Sequence, residues 1–105
     1  MQKTRIAAAS TDGIHVNEHF GKATRFLIYN LDDQVEWVED RSVDPLSIGN
    51  PAHPFDAKKF EDIAAQLKDC SKVYVAQIGD TPAAKLKSLG IEPQIYQGLI
   101  ADIER

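Results

Sequence analysis

Apolar residues along this chain gather in short runs of two different periods. Ile6-Ala7-Ala8-Ala9 is the first, and it predicts a strand over Arg5–Ser10. The most apolar run, Phe26-Leu27-Ile28-Tyr29, predicts a second strand over Thr24–Leu31. Asp32-Asp33 then reads as a tight turn. Gln34–Val43, alternating through Val35 and Trp37, reads as the return strand of a hairpin. A polar loop from Thr11 to Gly21 separates the first two strands. Asp44–Pro54 is irregular, punctuated by Pro45, Gly49, Pro51 and Pro54.

The period changes after this segment. Phe60, Ile63, Ala64 and Leu67 fall at i, i+3, i+4 and i+7, the single apolar stripe of a helix. Asp56 fits its N-cap, and Phe55 can staple onto Phe60. Lys72–Ile78 predicts a strand with Val73, Val75 and Ala76 at its centre. The next helix has Thr81 for its N-cap, Pro82 at its first position and Gly90 at C′. Ile91–Tyr96 predicts a short last strand, and Gly98–Arg105 a terminal helix with Ile100 and Ile103 inward.

This order implies an α/β fold. Strand–helix–strand units pair in parallel through right-handed crossovers, whereas the hairpin makes the second strand antiparallel. The simplest architecture is a mixed five-stranded sheet of order 3-2-1-4-5, with about three helices on its faces. In such sheets ligands favour the crevice outside the carboxyl ends of the strands. That edge receives His15, Asn17, Glu18 and His19 after the first strand, and Gly79, Asp80 and Thr81 after the fourth. It also receives the loop holding His53, because the third strand runs parallel to the first. Cys70 precedes the fourth strand and so belongs to the opposite edge. Strands of five or six residues are roughly 17–20 Å long, so Cys70 and His19 are not expected to share one small site.

Composition narrows the possible functions. A chain of 105 residues predicts one domain over 1–105. With 12 Lys+Arg against 16 Asp+Glu, it lacks the basic footprint of a nucleic-acid binder. The four-residue run Ile6–Ala9 falls short of a signal peptide (~7–15 apolar residues) or a spanning helix (~20). A cytoplasmic protein with no membrane partner is therefore expected. One Cys excludes an internal disulfide and a cluster held by four thiolates. Catalysis is also disfavoured. The first strand carries no carboxylate for a two-metal nuclease, and a thiol enzyme would need Cys70 beside an imidazole.

The candidate residues each have a plain reading as well. His15 and His19 are four apart, but Gly13 and Gly21 mark a loop, where solvated imidazoles are ordinary. A neutral imidazole is nevertheless a good transition-metal ligand. Cys70 reads as a small buried group at a helix-to-strand turn, and Trp37 as a packing residue. The amino end of the helix near Thr81 is either plain capping or an anion site.

One run carries more information. Asp12-Gly13, then Val16-Asn17-Glu18-His19-Phe20-Gly21-Lys22-Ala23 and Arg25-Phe26, resembles the signature of the dinitrogenase iron–molybdenum cofactor biosynthesis family. A second block is similar too: Leu67-Lys68-Asp69-Cys70, Ile78-Gly79, Ala83-Ala84 and Leu89-Gly90-Ile91-Glu92-Pro93. The resemblance implies a ribonuclease H-like three-layer fold and a non-enzymatic carrier. Its cargo would be an iron–sulfur or iron–molybdenum-type cluster, or a precursor, bound reversibly and passed between cofactor-assembly proteins. It implies His19 as the ligand to the metal. Independently of the resemblance, His53 between Ala52 and Pro54 reads as a solvated loop residue or as a second ligand swinging over the site. Asn17, Gly79 and Thr81 join His19 as cargo-binding residues, because an anionic cluster suits backbone N–H groups at a helix start. A module of the same fold that binds partner proteins and no cluster is the alternative.

Overall fold

The computed structural model describes residues 4–31, 35–43 and 57–103. A five-stranded sheet forms its centre, in the order β4-β3-β1-β5-β6. The strands are β1 (Thr4–Ala9), β3 (Arg25–Leu31), β4 (Val35–Ser42), β5 (Lys72–Val75) and β6 (Glu92–Ile95). β3 lies antiparallel to both β1 and β4, while β1, β5 and β6 run parallel. Two helices, α1 (Ala57–Leu67) and α2 (Asp80–Ser88), connect the parallel strands. Among the described residues no helix is long and apolar enough to cross a membrane.

Strand alternation divides the core into two layers. Ala7, Ala9, Phe26, Ile28, Val73 and Val75 point to one face, where Phe60, Ile63, Ala64 and Leu67 of α1 and Leu86 of α2 cover them. Ile6, Ala8, Leu27, Tyr29 and Tyr74 point to the other, against Val16, Ile100 and Ile103. Both helices thus lie on one face. The reason is topological. β4 to β5 through α1 and β5 to β6 through α2 step in the same direction across the sheet, and right-handed crossovers in one direction deposit their helices on one side.

The second face is closed by a feature hidden in the polar loop. β2 (His15–Val16) pairs with β7 (Gly98–Leu99), placing Val16 in the core. The expected terminal helix over Gly98–Arg105 is replaced by β7 and a 3₁₀ turn at Ile100–Asp102. Ile100 and Ile103 eclipse one another at a three-residue period, so their spacing suits this turn as well as an α-helix. Two α-helices, not three, are therefore present among the described residues.

Two further local expectations change. Trp37 was expected to pack, but it is 58% exposed and donates its indole N–H to Asp40 Oδ1 at 2.9 Å. It lies on an edge strand, beside a register shift between Ile28 and Tyr29 that breaks the regular alternation. α2 starts at Asp80, with Gly79 rather than Thr81 as N-cap. Pro82 remains compatible because it sits in the first turn, where its missing N–H leaves no intrahelical bond broken. The other end of α2 is as expected. Gly90, at φ +83°, donates to Lys87 O, and Ile91 donates to Leu86 O at 2.9 Å, closing a Schellman motif. The turn at Asp32-Asp33, the cap at Asp56 with its staple from Phe55, and His53 all lie outside the described residues.

Candidate functional site

The loop leaving β1 is closed by its own polar side chains. Asp12 Oδ1 accepts the N–H groups of Ile14 and His15 at 2.8 and 2.9 Å, and Gly13 takes φ +76° between them. These bonds and the His15 ring hold the Asp12 carboxyl well below the usual carboxylate range. Asn17 closes the far side. Its backbone N–H donates to Ala9 O at 3.3 Å, and its Oδ1 accepts the Thr11 N–H at 2.9 Å.

The chain then runs directly against the segment leaving β5. His19 forms a parallel bridge with Gln77. Phe20 donates its N–H to Gln77 O at 2.8 Å, and Ala76 donates to Glu18 O at 3.0 Å. Phe20 is fully buried, its ring 5.7 Å from Phe26 and 6.2 Å from Phe60. The residue before it is exposed. An inward phenyl ring and two interstrand hydrogen bonds thus fix a solvent-facing imidazole at the carboxyl edge of the sheet. Phe20 and Gln77 are positioning residues. The His-Phe-Gly order offered a signal for Phe20, whereas nothing in the sequence marks Gln77.

Two residues beyond Gln77 the chain reaches the start of α2. Gly79 is exposed, with φ −74° and ψ 161°, and no side chain caps the helix. Ala83 N–H bonds to Gly79 O, and Pro82 has no N–H, so Asp80 and Thr81 supply the backbone donors of this first turn. A methyl group at Gly79 would lie 3.6 Å from Pro82 Cδ, an ordinary contact. Neither conformation nor space inside the chain requires glycine here.

Of the residues singled out from sequence, His19, Gly79 and Thr81 lie on the segments joined by this bridge. Asn17 is at the same edge, but its side-chain oxygen is spent on Thr11. His15 is turned to a different partner, with Nδ1 2.8 Å from Asp12 Oδ2. Cys70 lies before β5, where Ser71 N–H bonds to Arg5 O near the start of β1, and so occupies the opposite edge from His19. It is 4% exposed, and burial together with the adjacent Asp69 charge pushes its thiol up to about 12. Among the described residues no three His, Cys, Asp or Glu side chains converge as a metal site. Among the described residues, His19 is the imidazole on the two bridged segments, and the His15 ring on the same edge is bonded to Asp12.

Comparison with known proteins assigns the chain. The profile of the dinitrogenase iron-molybdenum cofactor family matches residues 2–104. The chain belongs to this family. It is 36% identical over 100 residues to the FeMo cofactor biosynthesis protein NifB of Chlorobaculum tepidum, covering 92% of this chain and 22% of that protein. It is 32% identical to NifX of Sinorhizobium fredii, covering 85% of this chain and 57% of NifX. With NifY of Klebsiella pneumoniae it shares 32% identity, over 87% of this chain and 37% of NifY. This family member therefore spans about a fifth of the length of the NifB relative. In structure it resembles PH0822, at a TM-score of 0.68 and 25% identity over 95% of this chain and 84% of that one. A crystal structure from Methanocaldococcus jannaschii shares the fold, with a TM-score of 0.55 and 14% identity over 93% and 82% of the two chains.

Proposed function

We propose that this chain is a non-catalytic binding protein for an iron–sulfur or molybdenum-containing metal–sulfur cluster, or its precursor, in iron–molybdenum cofactor-type assembly. The observation that carries this reading is the bridge between His19 and Gln77. It ties an exposed imidazole to the segment that opens an uncapped helix, so that one ligand and a set of N–H donors border the same edge. His19 Nδ1 or Nε2 would bond a metal atom of the cargo, and the Asp80 and Thr81 N–H groups would face its sulfides. A grip of so few bonds suits a cargo that must be handed on. Cofactor-assembly proteins are its expected donors and recipients, and the cytoplasm its expected compartment. His53, outside the described residues, is the second ligand of this proposal.

Anaerobic reconstitution tests this reading. Protein incubated with iron and sulfide, or with tetrathiomolybdate, should retain metal and show visible absorption. His19→Ala should lose both, and Cys70→Ala should keep both. Loss on Cys70→Ala with His19→Ala silent would overturn the assignment of the site. A second reading, a partner-binding module with no cargo, draws on β4, an eight-residue edge strand carrying an exposed Trp37. A stable protein complex from wild type that binds no cluster under any of these conditions would favour it.

A further inference from the structure

The residue before His19 carries a charge that the proposed cargo does not need. Glu18 is half-buried, and its backbone is fixed because its carbonyl accepts the Ala76 N–H at 3.0 Å. Its side chain folds onto the next peptide, and Oε1 accepts the N–H of His19 at 2.9 Å. The nearest backbone donor to the imidazole is thus already taken, and it is taken by an anion. Asp80, exposed in the first turn of α2, and Asp12, paired with His15 in the loop leaving β1, are further carboxylates on the same edge, and Lys22, exposed in the 3₁₀ turn that follows His19, is a cation there.

We propose that Glu18 sets the charge specificity of the His19 site. Its carboxylate competes with an anionic cargo for the His19 N–H and repels it at short range. An incoming metal–sulfur anion must displace the side chain into water before it can use that donor. The backbone cannot follow, since the Glu18 carbonyl and the Phe20 N–H are both tied to the segment leaving β5. Displacement is therefore a rotation of one side chain, which leaves the imidazole in place. Cargo of lower negative charge is held more tightly than cargo of higher charge, and release is aided by the carboxylate returning to its bond. This inference rests on the cluster-binding reading and names the residue that tunes it.

The test is titration of tetrathiomolybdate, a dianion, into wild type, Glu18→Gln and His19→Ala, at 20 mM and 500 mM NaCl. Gln keeps a carbonyl oxygen for the His19 N–H but removes the charge. Glu18→Gln should bind roughly three- to tenfold more tightly than wild type at low salt, the scale of one like charge at close range near a surface. The gap should collapse at high salt, where the Debye length falls to about 4 Å. A merely structural role for Glu18 would not give a salt-dependent gap. Binding by wild type, loss in His19→Ala and no tightening in Glu18→Gln would overturn the role of Glu18 and leave the site standing. Failure of wild type to bind either tetrathiomolybdate or a reconstituted iron–sulfur cluster would overturn both.

Discussion

At the end of the sheet where β1 and β5 begin, charged groups are spent on one another. Asp69 receives Arg41 through Nη1 and Nη2 at 2.6 and 2.9 Å, and Arg5 Nη1 at 2.9 Å. Arg41 also donates to Gln66 O at 2.6 Å, and its side chain is only 16% exposed. The lone thiol is buried beside them. At the end where β1 and β5 finish, Asp12 and Asn17 close the loop within itself, buried Phe20 and backbone bonds hold it against the segment leaving β5, and other polar groups are left facing out. Phe20 anchors, Gln77 bridges, and His19 and the start of α2 remain exposed. The contrast is between charged groups consumed by the fold and polar groups that the fold leaves exposed. The first end ties the turn after α1 to β1 and β4, and the second presents unused donors on a rigid frame.

The largest expected effect comes from breaking the frame at the second end. Phe20→Ala removes a fully buried ring packed between Phe26 and Phe60, and should cost about 3–5 kcal/mol in urea unfolding. That is a large share of the ~5–15 kcal/mol of a typical domain. Phe20→Leu, which keeps most of the apolar volume, should cost clearly less. A cost near zero for Phe20→Ala would mean that the loop is held by its backbone bonds alone.

A smaller effect is expected at the first end. Asp69→Asn replaces a bidentate carboxylate facing Arg41 with a neutral amide, and should cost about 1–2 kcal/mol at pH 7, discounted for partial exposure. Its pH dependence has a definite sign. The Arg41 hydrogen bonds first, and Arg5 after them, hold the Asp69 carboxyl well below the usual range near ~3.9. Between its folded and unfolded values the unfolded chain binds the proton and the folded chain does not. The stabilisation is thus fully present above about pH 5 and is lost as pH falls through ~4 toward the folded value. Chemical denaturation of both proteins from pH 7 to pH 3 should show the gap narrowing. A constant gap would show that Asp69 acts through packing and not through its charge.

The features that could be read from sequence are those in which local chemistry and tertiary structure agree. Phe26–Tyr29 is apolar enough to be a central strand in any context, and the helical stripe of Phe60, Ile63, Ala64 and Leu67 has no other use. Gly90 was legible because a Schellman turn needs φ > 0 there. The short ribbon was not legible. Two residues, His15-Val16, carry no period, and their partner Gly98-Leu99 lies more than eighty residues away. The cap of α2 was misread by two residues because Thr81 and Pro82 imitate a start that the bridge at Gln77 moves upstream. At the site, His19 stood out through its motif, but Gln77 contributes only a backbone oxygen, which no side chain advertises. The side-chain bonds of Asn17 and Glu18 depend on where the loop backbone turns, and that is fixed by the buried Phe20.

The smallest structural perturbation is the sharpest test of the second end. Gly79→Ala adds one methyl group where φ is −74° and the nearest neighbour, Pro82 Cδ, would be 3.6 Å away. Alanine caps a helix less well than glycine, a loss of under about 1 kcal/mol, and it restricts the unfolded chain, a gain of about 0.4–1 kcal/mol. The two should nearly cancel, and thermal unfolding should move by no more than a few degrees. The methyl nonetheless stands at the N-cap, next to the Asp80 and Thr81 donors. If cargo lies on these groups, tetrathiomolybdate affinity should fall about two- to fivefold, less than 1 kcal/mol by the usual conversion, with the fold untouched. Unchanged affinity would confine the contact to His19. The helix start would then be exposed only because nothing in the fold needs to cover it.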